Sequence, residues 1–144
     1  MADEASQWRA QRGDNAAYHV QAQRRRSQEE SDKAQVLIDR FVERATAAGL
    51  PTEELTARPW SGRGRYRTGV VGWFLRRNGS VGIGTDGGYY VLNVAPMRLG
   101  RWRKVTIEPS PPPLVVGKGA GDGEVFDLDV LLQQRLQWPR SGQL

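Results

Sequence analysis

The chain has 144 residues, with 21 basic and 16 acidic side chains and no cysteine. Its length suits one domain, and the lack of cysteine excludes disulfides, thiol catalysis and thiolate metal sites. The one histidine, His19, lies in a polar tract and lacks the shielded environment of a general base. No stretch of 18 apolar residues occurs, and the polar start does not resemble a secretory signal. We therefore expect a cytoplasmic protein that does not enter a membrane and uses no cofactor or metal.

Charge is concentrated in the middle of the chain. Residues 56–104 carry ten basic side chains and one acidic side chain, whereas the segments before and after are each slightly acidic. A net charge of +9 in this segment indicates a positively charged surface.

The N-terminal third is expected to contain one amphipathic helix. Residues 1–30 favour helix but have few apolar side chains, so we predict a polar extension that is a frayed helix or disordered. From residue 31, apolar side chains recur at three- and four-residue spacing, which predicts a helix over 31–48. Ser27 and Glu30 form a possible capping box at its start, and Gly49 with Pro51 is a stop signal.

The middle of the chain predicts an antiparallel meander of three or four strands. The strands are expected over 68–77, 80–85, 89–94 and, as a fourth, 104–108, with Asn78-Gly79 and Asp86-Gly87-Gly88 as turns. A two-residue turn at Asn78-Gly79 places Phe74 opposite Ile83 and Trp73 opposite Gly84. The glycine-bearing face is then either covered by the indole or a helix, or forms a shallow groove with Trp73 as one wall.

The C-terminal part predicts a flexible loop over 117–123 and a short helix capped by Asp127. Four leucines of that helix share one face: Leu128, Leu131, Leu132 and Leu136. The fold class is therefore α+β, with a single domain over 31–138 and a disordered tail over 139–144.

Three motifs invite a chemical interpretation that their context disfavours. Residues 82–87 match G-x-G-x-x-G, but a strand follows where a dinucleotide site requires a helix. Gly117-Lys118-Gly119 lacks the spacing of a phosphate-binding loop. The carboxylates Asp122, Glu124, Asp127 and Asp129 cluster in sequence, and such groups can bind Mg²⁺ or serve as acid and base. Asp127 and Asp129 also suit the positive N-terminus of the last helix, which is the favoured explanation.

The strongest functional signal is a basic segment with aromatic residues. Arg63, Arg65 and Arg67 alternate, so in an extended chain they project from one face. Arginine binds phosphate or carboxylate in a bidentate manner, and aromatic rings stack on bases. The candidate binding surface comprises Arg58, Trp60, Arg63, Arg65, Tyr66, Arg67, Trp73, Arg76, Arg77, Arg101, Trp102, Arg103 and Lys104.

The stretch GRGRYRTGVVGWFLRRNGSVGIGTDGGYYVL and the following PPPLVVG segment resemble a group of small uncharacterised proteins of actinobacteria. The resemblance covers roughly residues 34–136 and implies no function. It agrees with the preference for arginine over lysine, which is typical of a high-GC bacterium.

No catalytic constellation is found, so we expect a non-enzymatic interaction module whose partner is an unidentified protein. The alternative is sequence-nonspecific nucleic-acid binding, which the same composition favours. A small-ligand or enzymatic role is a weaker third reading, and the charges could also serve only to keep an edge strand soluble.

Overall fold

A computed structural model describes residues 2–117 and 125–138. The predicted tail over 139–144 and most of the predicted loop over 117–123 lie outside these residues, as do Lys118, Gly119, Asp122 and Glu124.

The first element is a single long helix, α1 (Ala2–Ala47), which is exposed over almost all of its first thirty residues. The predicted capping box is wrong, because the helix continues unbroken through Ser27. Glu30 instead accepts a hydrogen bond from the Leu114 N–H at 3.0 Å. The predicted end at Gly49 is confirmed. Gly49 has a φ of +67°, and the backbone N–H groups of Gly49 and Leu50 bond to Thr46 and Ala45 in a Schellman arrangement.

Five short strands form a mixed sheet in the order β4-β3-β2-β1-β5. Their bounds are β1 (Glu53–Pro59), β2 (Tyr66–Phe74), β3 (Val81–Gly84), β4 (Tyr89–Val91) and β5 (Asn93–Val94). The prediction of a simple antiparallel meander is wrong, since β5 runs parallel to β1.

The continuous stretch that contains β4 and β5 pairs with β3 at one end of the sheet and with β1 at the other. The Leu92 N–H donates to Ser80 beside β3, and the Leu92 carbonyl accepts from the Arg58 N–H of β1 at 2.7 Å. The three strands β3, β2 and β1 are therefore curled, and one continuous stretch of chain pairs with both outer strands of the three. This leaves little unpaired backbone at the edges of β3 and β1.

The first hairpin pairs one residue away from the predicted register. Trp73 lies opposite Ile83 and Phe74 opposite Gly82, because the connection is a three-residue loop closed by a bond from the Gly79 N–H to the Arg76 carbonyl. Gly79 has a φ of +72°, which is typical of a type I turn followed by a glycine bulge. A shift of one residue moves every side chain to the other face. Trp73 therefore faces the core, and the alternative of a groove with Trp73 as one wall beside Gly82 and Gly84 is wrong.

Residues 104–108 are not a strand, contrary to the sequence-based expectation. One bond, from the Val105 N–H to the Arg67 carbonyl at 2.8 Å, fastens this stretch beside β2. Two further strands, β6 (Val115–Val116) and β7 (Phe126–Asp127), pair with each other before the last helix, α2 (Leu128–Gln137). The predicted cap residue Asp127 is correctly placed but makes no side-chain capping bond.

The main core lies between the sheet and the two helices. Phe41 of α1 packs edge-on against Trp73, and Leu128, Leu131 and Leu132 of α2 complete the layer. Two smaller clusters fill the inside of the curled sheet, one around Leu55 and Leu92 and the other around Ala57, Tyr66 and Val105. The sequence 82–87 forms a strand and a turn that lead into β4, as predicted.

Candidate functional site

Three residues of the predicted binding surface are buried in the structure. Trp73 is 2% exposed, and its indole Nε1–H donates to the Leu50 carbonyl at 3.1 Å, which fixes the sheet to the end of α1. Tyr66 and Arg76 are also buried. The Arg76 guanidinium lies 5.2 Å from the centre of the Phe126 ring. These side chains are packed within the fold, and Arg76 also contributes to the lining of a cleft described below.

Tyr66 brings two basic segments of the chain together. Its hydroxyl accepts a hydrogen bond from the Met97 N–H at 3.1 Å, and its ring packs closely against Gly100. As a result, Gly64 lies against the Arg101 side chain and Gly69 against that of Lys104. We call the surface formed here the basic face, and its residues are Arg67, Arg101, Trp102, Arg103 and Lys104.

Glu54 neutralises one arginine of the basic face, Arg67, beside a bulge in β2. Gly69 has a φ of +73°, and its N–H donates to one oxygen of Glu54 at 3.1 Å. The other oxygen of Glu54 accepts from the guanidinium of Arg67, also at 3.1 Å. The hydrogen bond from Arg67 lowers the pKa of the Glu54 carboxyl, and the positive charge of Lys104 acts in the same direction. Arg67 is therefore engaged at this bulge, unlike Arg101 and Arg103.

The basic face presents an uncovered aromatic ring. Trp102 is 79% exposed and stands between Arg101 and Arg103, at the end of a turn closed by a bond from its own N–H to the Leu99 carbonyl. Trp60 is 69% exposed but lines a different groove, alongside Tyr89, Val91 and Pro111. The two tryptophans therefore supply surfaces in two separate environments.

A second group of arginines lines a cleft of about 200 Å³. We call it the arginine cleft. Its walls are the Leu50–Pro51 turn after α1, the strand β1, the hairpin turn and the end of α2. The arginines that line it are Arg58, Arg65, Arg76, Arg77 and Arg135, and the carboxylate among the lining residues is Glu53.

The alternating arginines do not share one environment, contrary to the interpretation of the sequence. Gly62 and Gly64 each have a φ of +80°, which interrupts the extended backbone that alternation requires. Arg65 lines the arginine cleft, Arg67 pairs with Glu54, and Arg63 does neither. The predicted surface is thus divided between the basic face, the cleft, the groove beside Trp60 and the interior.

Sequence reasoning missed Arg135 and Trp138 as members of the cleft. Arg135 is 6% exposed, and its Nε–H donates to the Phe74 carbonyl at 2.6 Å. Its guanidinium lies 4.6 Å from the centre of the Trp138 ring, and that of Arg77 lies 5.3 Å from the same ring. Burial lowers the pKa of Arg135, while Glu53 opposes this change. The available signal was an arginine among the leucines of a short helix, next to a tryptophan.

The described residues contain no group of histidine and carboxylate side chains close enough to hold a metal ion. His19 is exposed on α1 beside Tyr18. Neither helix, over the ranges given above, combines the length and the hydropathy needed to cross a bilayer. No family model, curated protein or solved structure matches the chain.

Proposed function

We propose that the protein is a non-enzymatic interaction module that docks an acidic surface of a partner protein on its basic face. The observation that carries this proposal is the 79% exposed ring of Trp102 between Arg101 and Arg103. Within the described part of the chain, Arg101, Arg103 and Lys104 form no ion pair. Tryptophan and arginine are the residues that most often dominate binding energy at protein interfaces.

The loop over residues 97–105, which carries Trp102, is held in a way that supports a recognition role. Tyr66 and the Val105 backbone bond hold both of its ends to β2, so the loop is restrained before a partner arrives. Restrained contact residues lose less conformational entropy on binding than mobile ones do. Positive charge around the ring also accelerates encounter with an acidic partner and selects against basic ones.

Affinity capture from cell lysate tests the proposal with the full chain as bait, with and without nuclease. A variant that combines Arg101→Ala, Arg103→Ala and Lys104→Ala should lose proteins that the wild-type chain retains after nuclease treatment. The matched control removes the same charge from the exposed helix through Arg24→Ala, Arg25→Ala and Arg26→Ala, and it should retain them. Equal losses from both variants would contradict a specific basic face.

Nucleic acid is the second candidate partner, and the observation that favours it is again Trp102, whose 79% exposed ring is free to stack on a base. Binding to a labelled single-stranded oligonucleotide should then weaken steeply with salt, since each phosphate contact releases counterions. The triple variant on the basic face should lower the log–log salt slope by about 2, at roughly 0.7 for each lost contact. No measurable binding at about 50 mM salt would exclude this candidate.

A further inference from the structure

The arginine cleft has the charge of an anion-binding site. Arg58, Arg65 and Arg77 are exposed around it, and none of them pairs with a carboxylate in the described residues. Guanidinium groups gathered around one cavity repel one another, and a bound anion removes that repulsion. Glu53 supplies a single opposing charge among the lining residues, which leaves the cleft strongly positive.

Arg135 is held in a fixed orientation at this cleft. Its Nε–H donates to the Phe74 carbonyl, and its guanidinium carbon lies over the Trp138 ring, 4.6 Å from the ring centre. The terminal nitrogens make no hydrogen bond within the described residues. A guanidinium with one donor anchored and its fork unoccupied is preorganised for a bidentate oxyanion, since little further freedom is lost on binding.

The cleft also has an apolar wall beside these charges. Leu50, Pro51, Phe74 and Trp138 contribute to its lining. A bare inorganic anion would leave this wall in contact with water, whereas an apolar or aromatic substituent would cover it. The lining therefore fits a ligand that has both an oxyanion and an apolar part.

We propose that the arginine cleft binds an organic phosphate, a phosphate monoester with an apolar or aromatic substituent. Phosphate is favoured over carboxylate because several guanidinium groups face the cavity, and the phosphate dianion offers them two charges and three terminal oxygens. This site is separate from the basic face, so the inference does not rest on the function proposed above.

Isothermal titration calorimetry of the full chain with phenyl phosphate tests the site, at a pH above the second ionisation of phosphate. Arg65→Ala and Arg77→Ala should each weaken binding about tenfold or more, since each removes a charge-assisted contact. Arg63→Ala is the matched control. Arg63 lies two positions from Arg65 and is also exposed, but it does not line the cleft, so its removal should leave the affinity unchanged.

A second titration with inorganic phosphate isolates the apolar wall. Wild-type protein should bind phenyl phosphate more tightly than inorganic phosphate, and Trp138→Ala should reduce that preference. The triple variant on the basic face should bind phenyl phosphate as the wild type does, which separates this test from that of the interaction module. The proposal is overturned if phenyl phosphate does not bind at about 10 mM, or if Arg63→Ala weakens binding as much as Arg65→Ala.

Discussion

Phe41 is the side chain whose truncation tests how α1 is held to the sheet. It is 2% exposed, and its ring meets that of Trp73 edge-on, with 5.5 Å between the ring centres. Phe41→Ala should lower the free energy of unfolding by about 3–5 kcal/mol, because transfer energy is lost and a cavity remains. Urea titration measures the loss. Val36→Ala, at an exposed position of the same helix, should cost less than about 0.5 kcal/mol. A loss below about 1 kcal/mol at Phe41 would contradict the observed packing.

The buried side chain of Tyr89 should make the fold less stable at alkaline pH. Burial raises its pKa from 10.0 to about 12, and the positive charge of Arg76 opposes the change only in part. Because the pKa is raised in the folded state, neutral Tyr89 makes its full contribution to the free energy of unfolding below pH 10. That contribution is lost as the pH rises towards 12, and the total loss is about 2–3 kcal/mol.

Urea titrations at several pH values between 9 and 11.5 would detect this loss. Tyr89→Phe should show a smaller fall in its free energy of unfolding above pH 10 than the wild type. Tyr90, whose pKa is raised by burial and by its hydrogen bond to Asp86, is present in both proteins and supplies a common background. Parallel pH profiles for the two proteins would show that Tyr89 does not titrate as its burial requires.

At the scale of elements, the first half of α1 contributes little to the packed structure. Residues 4–30 are exposed apart from Ala22, so few apolar groups there are covered. Removing residues 1–26 should leave the thermal midpoint almost unchanged, because the contacts of α1 with the core begin at Ala34. Differential scanning calorimetry of the shortened and full chains measures the effect. A drop of several degrees would mean that this half of the helix is buried against something else, such as a second copy of the chain.

The second and third strands meet where each contributes a glycine. A Cβ at Gly72 would collide with the Ile83 carbonyl oxygen and would stand 2.7 Å from the Cα of Gly84. Backbone atoms cannot move aside as a side chain can, so Gly72→Ala should destabilise the protein by about 2–3 kcal/mol. Gly13→Ala is the control, because a Cβ at Gly13 meets nothing within 4 Å and alanine favours the helix. A wild-type midpoint for Gly72→Ala in urea would contradict the close approach of β2 and β3.

For the whole molecule, the three apolar clusters should unfold together. The Tyr89–Val94 stretch joins them, since Tyr89 packs in the main core, Leu92 in the second cluster and Val94 against the third. Tryptophan fluorescence and far-ultraviolet circular dichroism should therefore report one urea transition with a common midpoint. The exposed half of α1 should add only a gradual loss of helical circular dichroism signal at urea concentrations below that transition. Two separated midpoints would show that the curled sheet and the helical layer fold independently.

Local patterns in the sequence determined the elements that depend on neighbouring residues. The end of α1 follows from Gly49, which adopts a positive φ without a steric penalty. The leucine face of α2 follows from its spacing, and the strands before and after Asn78-Gly79 follow from the turn signal between them. The strand β1 was not predicted, because its pairing with β2 and β5 involves residues distant in sequence.

Tertiary structure decided the register, the closure of the sheet and the composition of each site. Asn78-Gly79 fits a two-residue or a three-residue loop, and the burial of Trp73 and Ile83 on one face selects the latter. The sequence predicted that the arginines form one surface. Their partition was not predictable, because Glu54 neutralises Arg67 and Arg135 joins Arg65 only once α2 has packed against the hairpin. Charge is a property of composition, whereas a binding site requires the distances that only the packed chain sets.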